Sequence, residues 1–272
     1  MTDAPYPSPG ELFVIGLGPG NVGLLAPDAF VALQAATTVV GYSGYLALVD
    51  ADLLRTKTVI ATGMRGEVER CEKALTDVLA GQKVCLVSSG DPGIYAMAGL
   101  VMELLHVRNL TLADVPVTIV PGIPAVCAAA ALLGAPLTHD FACVSLSDLL
   151  TPPDIIAKRL KHAFAADFTV ALYNPRSQKR RDNLATALDI AKQHRNGTTV
   201  IGHVRNAYRP NQGVFLATLD NFDPEQADMF SIILVGNSAT TILPALGNAP
   251  HEWKNGARMY TPRGYSDKYH LK

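Results

Sequence analysis

The sequence predicts an α/β protein of two domains, on three observations. Short apolar runs alternate with helical stretches along most of the chain. Several of those runs end in glycine-rich segments, as strands do when they feed a loop and then a helix. At Pro121-Gly122-Ile123-Pro124 the alternation breaks and its style changes. A length of 272 residues suits two domains of ordinary size, with the division placed at 1–120 and 121–272.

Each element follows from its local pattern. Leu12–Leu17 is an apolar strand that ends in glycines, and Pro27–Ala36 is a helix with proline in its first turn. Thr37–Gly41 and Lys57–Ala61 read as strands. Arg65–Ala80 is amphipathic, with Val68, Cys71, Leu75, Val78 and Leu79 on one stripe and Gly81 closing it. Lys83–Ser88 is a buried strand, Ile94–Val107 a helix and Val115–Val120 a strand. Such alternation predicts a mainly parallel sheet covered on both faces. Beyond the break come helix Ala125–Leu133 and strands Phe141–Leu146, Phe168–Asn174, Thr198–Val204, Gly213–Leu219 and Phe230–Val235. Helices Asp154–Ala166 and Arg180–Arg195 separate the first three of those strands, and the consecutive short strands near the end predict a mixed sheet. The tail after Pro250 is polar and is expected on the surface.

Composition excludes several classes. Apolar residues make up 49 % of the chain and charged residues 17 %, so burial can offset the ordering entropy and disorder is out. The net charge is −1, from 23 basic and 24 acidic residues, which leaves no electrostatic track for nucleic acid and no polybasic membrane surface. The longest apolar stretch, Ile123–Leu133, is about half of the roughly 20 residues that span a bilayer. The opening MTDAPYPSPGE has no cationic segment ahead of an apolar one, so no signal peptide is expected. Cys71, Cys85, Cys127 and Cys143 lie far apart without a CxxC pair, which points to a cytoplasmic location and to no disulfide or zinc framework.

Four segments carry possible chemistry. Gly16-Leu17-Gly18-Pro19-Gly20-Asn21-Val22-Gly23 contains G-x-G-x-x-G between a strand and a helix. It reads as a dinucleotide loop, another ligand loop or a structural turn. Against a dinucleotide, the second strand ends in Val39-Val40-Gly41-Tyr42 with no acid for the ribose, and Pro19 stiffens the turn. Ser88-Ser89-Gly90-Asp91-Pro92-Gly93-Ile94-Tyr95 also leaves a strand at its C-terminal end, where ligands of open α/β sheets gather; Asp91 alternatively caps the helix that follows. Val120-Pro121-Gly122-Ile123-Pro124-Ala125 is a ligand-cleft segment or a plain linker turn. Leu172-Tyr173-Asn174-Pro175-Arg176-Ser177 brings amide, phenol and guanidinium groups together. Arg176 there suits a carboxylate, or is a solvated charge. His139-Asp140 and Ser145-Leu146-Ser147-Asp148 are acid/base candidates or surface contacts. The other histidines, His106, His162, His194, His203, His251 and His270, show no metal-ligand spacing, and no metal site is expected.

The order and spacing of GLGPG, SSGDPGIYAMA, VPGIPA and YNPRS resemble the tetrapyrrole (corrin and porphyrin) methylase family, over about Leu12 to Thr241. Within it, GYSGY (Gly41–Tyr45), LTHDFACVSLSDLLTP (Leu137–Pro152), YNPRS and TPRGYSDKY (Thr261–Tyr269) resemble the branch that methylates carbon 17 of precorrin-3B in cobalamin biosynthesis. The resemblance implies two αβα domains of a class III S-adenosylmethionine methyltransferase, a homodimer, and the cofactor held in the cleft between domains. It implies methylation of precorrin-3B, or of cobalt-factor III, with a ring contraction that extrudes the carbon-20 unit and gives precorrin-4. No metal-handling tail is visible, which favours the metal-free substrate. Carried onto this sequence, Gly18, Pro19 and Gly20 line the cleft, and Ser89, Gly90, Asp91, Ile94 and Tyr95 form the main cofactor loop. Pro124, Ala125, Tyr173, Asn174 and Ala207 complete the cofactor contacts. Asp91, His139, Asp140, Ser147, Asp148 and Arg176 are the candidates for proton management, and Arg65, Arg176 and Arg205 for the carboxylates of the substrate.

The sequence departs from the wider family in three places. Pro124 stands where many relatives carry Thr, and Asn174-Pro175 where Met-Gly is frequent. Ala26-Pro27 replaces Thr-Pro, so a capping hydroxyl worth about 1 kcal/mol is missing. Three other readings remain open: a corrin methylase of other regiochemistry, a nicotinamide-dependent oxidoreductase and a non-catalytic tetrapyrrole-binding module.

Overall fold

The structure is a computed structural model that describes residues 10–177, 180–244 and 256–269. His251 and His270, the opening eleven residues except Gly10 and Glu11, and much of the polar tail lie outside the described residues. The chain divides into two compact units, Met1–Ala125 and Val126–Lys272; the sequence reading placed the division after residue 120. No helix among the described residues is long and apolar enough to cross a membrane.

The first unit is built on strands β1 (Glu11–Gly16), β2 (Thr38–Tyr42), β3 (Thr58–Thr62), β4 (Lys83–Ser88) and β5 (Val117–Val120), in the order β3-β2-β4-β1-β5 and all parallel. Helices α1 (Pro27–Ala35), α2 (Ser43–Leu46), α3 (Ala51–Leu54), α4 (Glu67–Leu79) and α5 (Met97–Val107) connect them. Alternate residues of each strand feed opposite cores. Leu12, Val14, Val84 and Leu86 pack with Leu75 and Val78 of α4 and Val101 and Leu105 of α5. Ile15, Val39, Cys85 and Val87 pack with Ala29, Ala32 and Leu33 of α1. Both faces of the central strands β2, β4 and β1 are covered, which is why those strands are mainly apolar, while the edge strands β3 and β5 stay partly exposed. Burial drives the Cys71 thiol up to about 11 and the Cys85 thiol up to about 12, so both are core groups without thiolate reactivity.

Two helices differ from the sequence reading. The buried stripe of α4 is Arg70, Cys71, Ala74, Leu75 and Val78, while Val68 and Leu79 are exposed. At 100° per residue Val68 and Leu79 fall on one margin of the apolar stripe, and the packed face is turned toward Arg70. Helix α5 starts at Met97 rather than Ile94, because Tyr95 takes φ +54 and Ala96 is extended, neither of which propagates a helix. Ala26 occupies the N-cap position of α1, with Pro27 as the first helical residue. The other end of α1 is closed by Lys57, whose Nζ donates to the carbonyls of Gln34 and Ala36 at 3.0 and 2.6 Å.

The second unit has the mixed sheet expected for it. Strands β7 (Phe141–Ser145), β8 (Thr169–Tyr173), β9 (Val200–Arg205), β10 (Gly213–Thr218) and β11 (Ser231–Val235) lie in the order β10-β9-β11-β8-β7. Only β7 and β8 run parallel; the other neighbours are antiparallel. Helices α7 (Pro153–Ala165) and α8 (Asn183–Lys192) pack Ile156, Leu160, Phe164, Leu184 and Leu188 onto one face. On the other face, Leu133 of α6 (Ala125–Leu133) sits over Gly202, where an added Cβ would come within 2.5 Å of it. A second small sheet, β12-β13-β6 (β6 Gly134–Ala135, β12 Thr241–Leu243, β13 Arg258–Tyr260), and the short helix α9 (Tyr265–Lys268) are too brief to leave a periodic signal. Helix α8 is shorter than the expected Arg180–Arg195 at both ends. Arg195 is withdrawn from it to donate to the carbonyls of Phe164 and Phe168, with its guanidinium 5.6 Å from the Phe164 ring.

Phe164 is wholly buried beneath that cation, so Phe164→Ala is expected to cost about 3–5 kcal/mol. Urea unfolding followed by circular dichroism measures it, and a loss under about 1 kcal/mol contradicts the assignment of this ring as the anchor of the second core.

Candidate active site

In the first unit three of the singled-out segments meet. Strands β1 and β4 are neighbours in register, Gly16 opposite Ser88, so their C-terminal loops leave the sheet side by side. Gly18 and Gly90, both at positive φ (+64 and +68), exchange two backbone hydrogen bonds: Gly18 N–H to Gly90 O at 3.1 Å and Gly90 N–H to Gly18 O at 2.7 Å. Gly122, beyond β5, joins them by donating its N–H to Asp91 Oδ2 at 3.1 Å. A Cβ on Gly16 would lie 2.4 Å from the Gly90 carbonyl oxygen, and one on Gly122 would lie 2.2 Å from it. The three loops therefore touch backbone to backbone, at a separation only glycine allows.

Asp91 holds this junction. Its Oδ1 accepts the Gly93 N–H at 2.8 Å while Oδ2 takes Gly122. The helix that follows starts at Met97 with Ala96 in the N-cap position, five residues beyond Asp91, so the capping alternative does not describe Asp91. Gly18 and Pro19 are buried, Ser89 and Pro124 are half-buried, and Ile94 and Tyr95 stand exposed at the rim. The Ser88 hydroxyl is buried at the end of β4 without a hydrogen-bond partner among the described residues. An apolar rim, a spare hydroxyl and bent backbone at a parallel sheet's C-terminal edge suit a flat heteroaromatic ligand with a polar tail, such as an adenosyl group.

In the second unit the polar candidates divide between two edges. At the C-terminal ends of β7 and β8, Asn174, in left-handed conformation (φ +51), donates its Nδ2 to Ser145 Oγ at 3.0 Å. The Tyr173 hydroxyl accepts the Val126 N–H at 2.9 Å, and so pins the start of α6. The Arg180 guanidinium donates to Ser147 Oγ and lies 3.8 Å from Asp148. Arg176 is paired with Glu225, donating to its carboxylate and to its carbonyl. Antiparallel pairing of β9 and β11 puts Arg205, Ala207 and Ser231 on this same edge. His139 and Asp140 precede β7 and therefore sit at the opposite edge, in an open pocket of about 300 Å³ with Asp167, Asn237 and Arg263. They do not share a site with Ser147, Asp148 and Arg176, because a strand carries its two ends to opposite sides of the sheet.

Sequence reasoning missed a relay that runs from the buried His203 and Ser231 to the half-buried Asp228 and Arg205. His203 Nε2 lies 3.0 Å from Ser231 Oγ, Ser231 Oγ donates to Asp228 Oδ1 at 3.0 Å, and Asp228 Oδ2 accepts Arg205 Nε at 2.6 Å. Ser231 Oγ also accepts the Asp228 N–H, which leaves His203 Nε2 as the donor and Nδ1 unprotonated. Burial tends to raise the Asp228 carboxyl, but the bonds from Arg205, Phe230 and Ser231 outweigh it and hold it below the usual carboxylate range. Burial pushes His203 down to about 4. Arg180 was also missed, since a basic run (Lys179-Arg180-Arg181) reads as a solvated helix start. No local signal in the sequence marks the relay, which joins His203 and Arg205 of β9 to Ser231 of β11 and to Asp228 in the loop before it.

Residues 11–223 match the family described as Tetrapyrrole (Corrin/Porphyrin) Methylases. The chain belongs to the tetrapyrrole methylases. Among its relatives is a probable cobalt-factor III C(17)-methyltransferase of Salmonella typhimurium, 46 % identical over 94 % of this chain and 99 % of that protein. A precorrin-3B C(17)-methyltransferase of a Sinorhizobium species is 37 % identical over 94 % of this chain and 98 % of its own length. The crystal structure of the methyltransferase CobJ superposes with a TM-score of 0.82, at 39 % identity, over 93 % of this chain and 100 % of that one. This methylase thus carries its family's glycine loops as one hydrogen-bonded junction, and the nicotinamide reading of G-x-G-x-x-G falls away.

The relay sets a pH dependence. His203 takes a proton near pH 6.5 when unfolded but only near pH 4 when folded, so stability is complete above that interval and falls as pH drops from about 6.5 to about 4, by about 3 kcal/mol. His203→Gln is expected to flatten that part of the curve, read from urea midpoints across pH; an unchanged slope would contradict a neutral buried His203.

Proposed function

We propose that this methylase transfers the methyl group of S-adenosylmethionine to ring carbon 17 of precorrin-3B, or of cobalt-factor III, with ring contraction to the precorrin-4 level in cobalamin biosynthesis. The observation that carries this reading is the junction of Gly18, Gly90, Asp91 and Gly122 in a chain so similar to methyltransferases of that step. S-adenosylmethionine supplies a carbon already activated by its sulfonium, so the protein has to align, exclude water and move protons.

Ser89, Gly90, Ile94 and Tyr95, with Gly18, Pro19 and Gly20, form the cofactor loops, and Pro124 and Ala125 close over Gly90, where an added Cβ would meet their backbone at 3.7 Å. Asp91 acts as a positioning residue, since both of its oxygens are engaged by backbone N–H groups. Ser147 and Asp148, both held by Arg180, are the groups placed to manage protons in the contraction. We read the protein as a homodimer and as cytoplasmic, the second in keeping with cysteines that form no disulfide among the described residues.

Anaerobic incubation with S-adenosylmethionine and either macrocycle, followed by mass spectrometry, is expected to show one methyl gained and S-adenosylhomocysteine released. Methylation of neither substrate would overturn the assignment. Asp91→Ala is expected to weaken S-adenosylmethionine binding by at least about tenfold, through a loosened junction rather than a lost ligand contact. Isothermal titration on a variant with an intact circular dichroism spectrum checks it, and unchanged affinity would remove Asp91 from the site.

A further inference from the structure

Among the arginines considered for the substrate's carboxylates, the structure draws a distinction. Arg176 is paired with Glu225 and Arg205 with Asp228. Arg180, at the same edge, is beside Asp148. Arg65 differs: it is exposed, and no hydrogen bond or ion pair among the described residues engages its guanidinium. It lies in the Gly63-Met64-Arg65-Gly66 turn between β3 and α4, with φ +68. That conformation crowds the Cβ of any L-residue against its own carbonyl and costs about 1 kcal/mol, although glycine stands on either side of the Met-Arg pair.

The turn is held from beneath. Arg70 on α4 is only 4 % exposed, and no carboxylate among the described residues touches its guanidinium. Its Nε donates to Thr62 Oγ1 at 2.8 Å, its Nη2 to the Gly63 carbonyl at 3.2 Å, and its Nη1 approaches Met97 Sδ at 3.5 Å. Thr62 ends β3, Gly63 opens the turn, and Met97 begins the helix that leaves the Ser89–Ala96 loop. A buried cation satisfied by neutral acceptors is a costly way to fill space; here it bolts the Arg65 turn to the start of α5. All strands of this sheet are parallel, so the turn stands on the edge that carries the glycine junction, and β3 is two strand spacings from β4, roughly 10 Å.

We propose that Arg65 is the receptor in the first unit for a carboxylate of the macrocycle, and that Arg70 is the positioning residue that presents it. The proposal rests on the tetrapyrrole reading given above. An unpaired guanidinium offers two parallel donors to a carboxylate, whereas the paired arginines must first give up an acid of their own.

The test uses the full chain and two readouts: binding of uroporphyrin III, a stable polycarboxylate porphyrin, by fluorescence quenching, and the KM for the macrocycle in the methylation assay. Arg65→Gly suits the positive φ, so its melting temperature is expected to hold or rise while porphyrin Kd and macrocycle KM increase at least about tenfold. Its Kd for S-adenosylmethionine is expected to stay within about twofold. Arg70→Lys keeps the charge but loses the fork, and is expected to weaken porphyrin binding several-fold. The double variant is expected to be no weaker than Arg65→Gly alone, because Arg70 acts through Arg65. Porphyrin binding unchanged in Arg65→Gly, or absent from the native protein, overturns the receptor role, and additive losses in the double variant overturn the positioning role. A native protein that binds the porphyrin but methylates neither macrocycle would instead refute the proposed reaction.

Discussion

The contact among Gly16, Gly90 and Gly122 is the constraint on which the rest of the first unit's site depends. Three loops from β1, β4 and β5 converge on one point, and a side chain at Gly16 or Gly122 would sit 2.2–2.4 Å from the Gly90 carbonyl oxygen. Close backbone contact leaves few ways to satisfy polar groups. The Gly18–Gly90 pair of hydrogen bonds and the two N–H groups taken by Asp91 are how this junction does so. A parallel sheet with both faces covered makes the arrangement stiff, because its strands cannot shift without disturbing two cores at once. The loops are thus held in a bent form by the scaffold.

The second unit solves a different problem. Its upper edge carries Arg176, Arg180 and Arg205, and each is matched to an acid that arrives from a distant part of the chain. The pairing with Asp228 continues through Ser231 to a neutral His203 that is clasped by Phe215 and Phe222 at ring separations of 5.3 and 5.8 Å. Charge on this edge is therefore fixed in place and partly cancelled, which lets basic residues order loops without leaving a strong exposed field. The near-zero net charge of the whole chain is the same balance seen in composition.

Much of the architecture was legible in the sequence, and the reasons are local. An apolar run ending in glycine, such as Lys83–Ser88 before Ser89-Gly90, records burial on both faces and a tight exit, and the observed strand has the same limits. Helix Ala125–Leu133 was equally plain, since a proline starts it and small apolar residues fill it. The ends of α4 and α5 were less so. Whether Arg70 or Val68 is buried depends on what packs against the helix, and the backbone at Tyr95 and Ala96 answers to the loop before it. The three-residue strands β12 and β13 exist only because each finds a partner.

The site divides in the same way. Sequence alone singled out the three segments that converge in the first unit, because glycine and proline mark bent backbone wherever they fall, and their order along the chain identifies the family. Tertiary structure alone decided which of the charged residues act together. It separated His139 and Asp140 from Ser147 and Asp148, although only a strand lies between them, by sending the two pairs to opposite edges of one sheet. It joined Arg176 to Glu225 and Arg205 to Asp228 across long stretches of chain. The physical reason is one of range: backbone preference acts over a few residues, whereas an ion pair is set by strand order and register.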